Sequence, residues 1–107
     1  MKPLKLKSTV HVNGTHFYTE MVRILDVARE TAPDTSDGFV WVTSANDSAH
    51  MKGSLHYRDR AFDIRTVNLL GGDDAAKSWL MSMKTLLGKD YDIKFEGDHL
   101  HVEFDPK

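Results

Sequence analysis

The sequence predicts an α+β domain, and three observations carry that expectation. Two stretches repeat apolar residues at three- and four-residue steps. Five short stretches are rich in β-formers or alternate apolar with polar residues. The two kinds of stretch are interleaved, and the last two strands are separated only by Gly97-Asp98, which makes them an antiparallel hairpin. Together these give the order β-α-β-β-α-β-β, a small antiparallel sheet with two helices.

Each element has its own signal. Ser8 to Val12 reads as a short strand before the turn signal Asn13-Gly14. Thr15 to Ala32 reads as a helix, because Phe17, Met21, Ile24, Leu25 and Ala28 build one stripe and Pro33 follows its end. After a polar loop, Phe39 to Thr43 is a strand. Ser44 to Tyr57 is long, polar and without period, a length that in a small domain usually signals function or disorder. Ala61 to Thr66 is the next strand. Asp73 or Asp74 is placed to cap a helix with Ala76, Trp79, Leu80, Met83 and Leu87 on one face, and Gly88 suits its stop. Tyr91 to Glu96 and His99 to Phe104 complete the set. Trp41 and Trp79 are expected in the core.

Composition narrows the function. At 107 residues the chain makes one domain, 1–107, with a core of modest size. The absence of cysteine excludes disulfides and thiolate zinc sites, so a metal would have to be held by His and Asp/Glu. A net charge of −2 gives no reason to expect a nucleic acid partner. Lys2, Lys5 and Lys7 read as a solvated basic terminus. No stretch has the ~20 apolar residues of a membrane span and no signal-peptide core is present. The expectation is therefore a protein made in the cytoplasm with no stable membrane association, and a monomer.

Alternation places His99, His101 and Glu103 on one face of the last strand, with Leu100, Val102 and Phe104 on the other. In the earlier strand Ala61, Asp63 and Arg65 share a face. His56 lies just before that strand. His56, Asp63 and a histidine of the last strand make a tripod that suits zinc with one position left open for water. An open zinc site needs a nearby carboxylate to take a proton, and Asp98 at the mouth of the hairpin is the candidate. The plainer reading leaves these histidines on an exposed strand face and Asp63 as an edge-strand acid.

The stretch SLHYRDRAFDI followed by DHLHVEF resembles the zinc D-Ala-D-Ala carboxypeptidases and L-Ala-D-Glu endopeptidases of phage lysins, which share the hedgehog/DD-peptidase fold. The family pattern is S-x-H-x-x-G-x-A-x-D, then an acid three residues before a last histidine. Ser54, His56, Ala61 and Asp63 fall in register with its first half, and Asp98 and His101 with its second. The resemblance spans Val40 to Phe104. It implies one zinc per chain on His56, Asp63 and His101, with Asp98 as general base and Ser54 beside the ligands. The implied substrate is the peptide stem of bacterial peptidoglycan, reached after membrane permeabilisation. Two departures stand out. Asp59 occupies the family glycine position, and the loop TSANDSAHMKGS lacks the arginine with which many members bind a substrate carboxylate. Lys52, His50 or Arg58 could replace that arginine.

His99 is a candidate donor to the transition state or a wall of the site, and Glu103 a candidate acceptor that orients a ligand. Tyr57 suits the groove or the packing equally. His11 and His16 carry no assigned role. Two further readings remain open: a metal-binding structural or assembly protein of a phage that keeps the fold without turnover, and a metal-free domain with incidental histidines.

Overall fold

The computed structural model describes residues 1–8, 19–44 and 61–106. The elements are β1 (Leu4–Leu6), α1 (Thr19–Thr31), β2 (Val40–Ser44), β3 (Ala61–Arg65), α2 (Gly72–Leu87), β4 (Tyr91–Phe95) and β5 (His99–Phe104). Their order is the expected β-α-β-β-α-β-β, and the class is α+β.

The five strands form one sheet in the order β1-β2-β3-β5-β4. The sheet is mixed rather than antiparallel throughout, because β1 pairs parallel to β2 with Leu4 opposite Val40 and Leu6 opposite Val42. The remaining pairs are antiparallel. The first described strand, Leu4–Leu6, precedes the expected Ser8–Val12. Ser8 is in a turn, and residues 9–12 lie outside the described residues. The basic start forms an edge strand of the described sheet, with Lys5 and Lys7 solvent-exposed and Lys2 half-buried. Lys5 stacks on Phe39 and Trp41, with its ammonium 4.3 and 5.5 Å from the ring centroids. Alternating lysines suit an edge strand, since they blunt pairing with another chain.

One face of the sheet is covered by both helices. Alternation sends Val40 and Val42, Phe62 and Ile64, Leu100 and Val102 into a single core with Met21, Ile24, Val27 and Ala28 of α1 and Ala76, Trp79, Met83 and Leu87 of α2. Trp79 is buried as expected, and its indole Nε1–H donates to Thr31 Oγ1 at 3.1 Å, tying the helices together. Trp41 is corrected. Its position in β2 points it to the opposite, polar face, where its Nε1–H donates to Asp37 Oδ2 at 2.6 Å. That bond draws the Asp37 carboxyl down to about 2. Asp73 and Asp74 also shift in role: α2 begins at Gly72, its N-cap Gly71 makes no side-chain bond, and both acids stand in the first turn. There they favour the positive end of the helix dipole. Gly88 ends the helix as expected, with φ +89° and its N–H bonded to Lys84 O.

The hairpin between β4 and β5 turns at Gly97-Asp98. Glu96 N–H donates to His99 O at 2.8 Å, and Gly97 adopts φ +89°, a left-handed value that favours glycine. Thr66 N–H donates to Asp98 O at 3.0 Å, which pins the turn to the end of β3.

Candidate metal centre and active site

The face of the sheet away from the helices carries the titratable groups. β3 and β5 pair with Asp63 directly opposite His101 and Arg65 opposite His99. Two residues 38 apart in sequence are thus set side by side by strand register alone. The intervening apolar residues, Phe62, Ile64, Leu100 and Val102, hold the register, because a one-residue slip of either strand would turn its two buried residues out of the core.

His101 is clamped between two carboxylates. Its Nδ1 lies 2.7 Å from Asp63 Oδ1, and its Nε2 lies 2.9 Å from Glu103 Oε1. Both ring nitrogens face acceptors, so both donate and the ring is an imidazolium. The bond to Asp63, outweighing the cost of burial and aided by Glu103, pushes His101 up to about 9.

His99 has a second clamp. Its Nδ1 lies 2.6 Å from Asp98 Oδ1 and its Nε2 3.0 Å from Glu96 Oε1, with Asp63 Oδ2 at 3.8 Å. Burial pulls His99 down, but the bond to Asp98, the charge of Asp63 and the bond to Glu96 outweigh it and raise it overall. The same bond holds the Asp98 carboxyl below its usual range. Asp98 remains open to solvent.

The expected site residues fall into two groups. Asp63, Asp98, His99 and His101 are brought together. His56, Ser54, His50, Arg58, Lys52 and Asp59 lie outside the described residues, as do Tyr57, His11 and His16. His56 precedes the first residue of β3 by five positions, a reach of at most about 17 Å, and Asp63 stands on that same strand.

Whether the described residues suit zinc can be judged from their donors. A carboxylate oxygen and an imidazole nitrogen on tetrahedral zinc lie roughly 3.3 Å apart. Asp63 Oδ1 and His101 Nδ1 stand at 2.7 Å around a shared proton, so a separation of about half an ångström exchanges the proton for a metal. Glu103 then holds Nε2–H, which directs the Nδ1 lone pair towards Asp63 and the metal. The donor set fits.

A second group of possible ligands was not anticipated. Carboxylate oxygens of Asp92, Glu103 and Asp105 lie within 4.8 Å of one another, close enough to surround a cation in principle. Glu96 was missed as well, although its position three residues before His99 across a two-residue turn signals the contact. Arg65 was expected only as a strand-face neighbour of Asp63, and Lys7 only as part of the basic start. They line, with Thr43, Asp63, Asp98 and His99, a cavity of about 390 Å³.

Comparison with known proteins gives no match to a protein family, a curated protein or a solved structure. Among the described residues no helix is long and apolar enough to cross a membrane.

Proposed function

We propose that the chain is a zinc metallopeptidase that hydrolyses the peptide stem of bacterial peptidoglycan, with His56, Asp63 and His101 as the metal ligands. The observation that carries this reading is the register of β3 and β5. Two residues chosen from separate motifs, Asp63 and His101, stand opposite one another within hydrogen-bond distance. Asp98, chosen from the second motif as the base, opens onto the same cavity as Asp63.

A zinc ion bound there would polarise the scissile carbonyl and acidify a water. The chain's residues supply the rest. Glu103 fixes the ring of His101 through Nε2. Asp98 accepts a proton from the attacking water and returns it to the leaving amine. His99 holds the Asp98 carboxylate in place through Nδ1 and presents a positive charge to the cavity beside it. Whether the bond cut is internal or terminal depends on how the far end of the cavity is filled.

The deciding experiment measures zinc by elemental analysis and hydrolysis of purified peptidoglycan in parallel. Wild type should hold one zinc, and His101→Ala should lose it. Asp98→Asn should keep the metal while hydrolysis falls by about 10²–10⁴-fold. A protein that neither contains nor takes up zinc refutes the reading. Full hydrolysis by Asp98→Asn refutes the assigned base, and zinc without hydrolysis in wild type favours a structural module.

A further inference from the structure

The polar face of the sheet holds two cations that the proposed chemistry does not use. Arg65 lies two residues beyond Asp63 on the same strand face, roughly 7 Å along the chain, and its guanidinium carbon sits 4.9 Å from the centroid of the Trp41 ring. Trp41 is itself fixed by its bond to Asp37. The Trp41 ring holds the guanidinium by a cation–π contact, which uses its π face and not its N–H donors. Among the described residues Arg65 makes no ion pair. Lys7 follows β1, anchored by its backbone N–H to Val42 O at 2.9 Å, and its side chain lines the same cavity.

The charges in that cavity are unevenly matched. Asp63 is engaged by His101, and Asp98 by His99. The two cations at the other side therefore have no anion of their own among the described residues. Thr43 and Ser44 line the space between, adding hydroxyl donors and acceptors. A pre-positioned guanidinium beside a second cation and hydroxyl groups is the chemistry of a carboxylate receptor.

We propose that Arg65, assisted by Lys7, forms a subsite that binds a carboxylate of the substrate next to the bond being cut. The substrate class rests on the peptidase reading: the carboxylate is that of a D-residue in a stem peptide. The subsite comes from β3 and the chain after β1, not from the polar loop in which the resembling family carries its arginine. It lies two residues from Asp63 on the same face of β3 and lines the same cavity.

The test is a titration of the metal-free protein followed by ¹⁵N-resolved NMR, reading the Trp41 indole N–H and the backbone amides of β3. Three probes are used: N-acetyl-D-alanine, N-acetyl-D-isoglutamine, whose only carboxylate is on the side chain, and neutral N-acetyl-D-alaninamide. At least one acidic probe should shift these resonances at millimolar concentration while the neutral amide does not. The stronger of the two acids identifies an α-carboxylate or a side-chain carboxylate as the ligand. Arg65→Gln should weaken binding at least tenfold, Lys7→Gln less, and Arg65→Lys should fall between wild type and Arg65→Gln. An intact amide spectrum checks the fold, and should Arg65→Gln unfold, Arg65→Lys decides alone. Equal shifts with the neutral amide, or unchanged binding in the Arg65 variants, overturns the subsite. Because the readout needs neither zinc nor turnover, absence of zinc removes the peptidase reading and leaves the test of the subsite intact.

Discussion

Zinc binding should depend on pH far above the range in which an ordinary histidine responds. In the metal-free protein His101 is an imidazolium shared by Asp63 and Glu103, with its pKa raised to about 9. A metal must displace the proton at Nδ1. An unperturbed histidine is mostly neutral above about 6.5 and would give a flat affinity beyond that point. With the value near 9, the apparent zinc affinity instead rises tenfold per pH unit up to that value, and stands about a hundredfold below its limit at pH 7. Competition against a chelator of known pH dependence, between pH 6.5 and 9.5, measures the slope and keeps free zinc below the level at which its hydroxide precipitates. Glu103→Gln should move the plateau to lower pH, because one of the two carboxylates that hold the proton is gone. An affinity that is flat from pH 7 to 9 refutes the reasoning: His101 would then not be the group that gives up a proton to the metal.

Other outcomes follow from the same residues. The raised His101 pKa stabilises the metal-free fold fully below the unfolded value of about 6.5, and that stability is lost as pH rises through about 9. The shift corresponds to at most about 3 kcal/mol, reduced to about 1–2 kcal/mol for a partly exposed pair, and urea unfolding at pH 6.5 and 10 measures it. Leu100→Ala should cost about 2–5 kcal/mol in the same assay, because Leu100 is fully buried in the core, on the face of β5 opposite the two site histidines. It should also weaken zinc binding, since the register that sets Asp63 against His101 depends on that side chain.

That Asp63 and His101 each stand on a polar strand face was legible because two simple periods coincide. AFDIR and HLHVEF each alternate cleanly, and each buries its apolar half. Once Phe62, Ile64, Leu100 and Val102 are assigned to the core, the polar partners must share the other face. The helices were legible for the same reason at a period of 3.6 residues. What could not be read was which strands neighbour one another. β1 joins the sheet parallel to β2 through a helical crossover, and the alternation in KPLKLK is too short, and too close to the start of the chain, to outweigh its reading as a basic terminus. Trp41 was misplaced because size suggested the core, whereas its parity in VWVTS places it with Thr43 on the polar face. The Arg65 cavity was invisible for a related reason. It is assembled from β2, β3, the chain after β1 and the β4–β5 turn, and no local pattern reports such a convergence.

The two histidine clamps differ in what they permit, and this makes a last prediction. Asp63 stands between them, 2.7 Å from His101 and 3.8 Å from His99. His101 has one flank, Nδ1, on a residue that can itself bind metal, so its proton can be exchanged for a cation. His99 has Asp98 on Nδ1 and Glu96 on Nε2, neither of them in the proposed ligand set, so it remains a charge and not a ligand. That charge opposes the proposed chemistry at low pH. A protonated His99 holds the Asp98 carboxyl below its ordinary range and weakens it as a base. Loss of the His99 proton frees Asp98, and because His99 is raised, this occurs above the usual histidine range. The kcat/KM of peptidoglycan hydrolysis should therefore rise with pH through a group titrating above about 6.5. In His99→Gln, Asp98 no longer faces a cation, so that rise should vanish or move to lower pH while bound zinc stays at one per chain. Because His101 also loses a proton when metal binds, the profile must be measured with zinc saturating at every pH. If the wild-type and His99→Gln profiles then superimpose, His99 is a wall of the cavity and Asp98 acts without it.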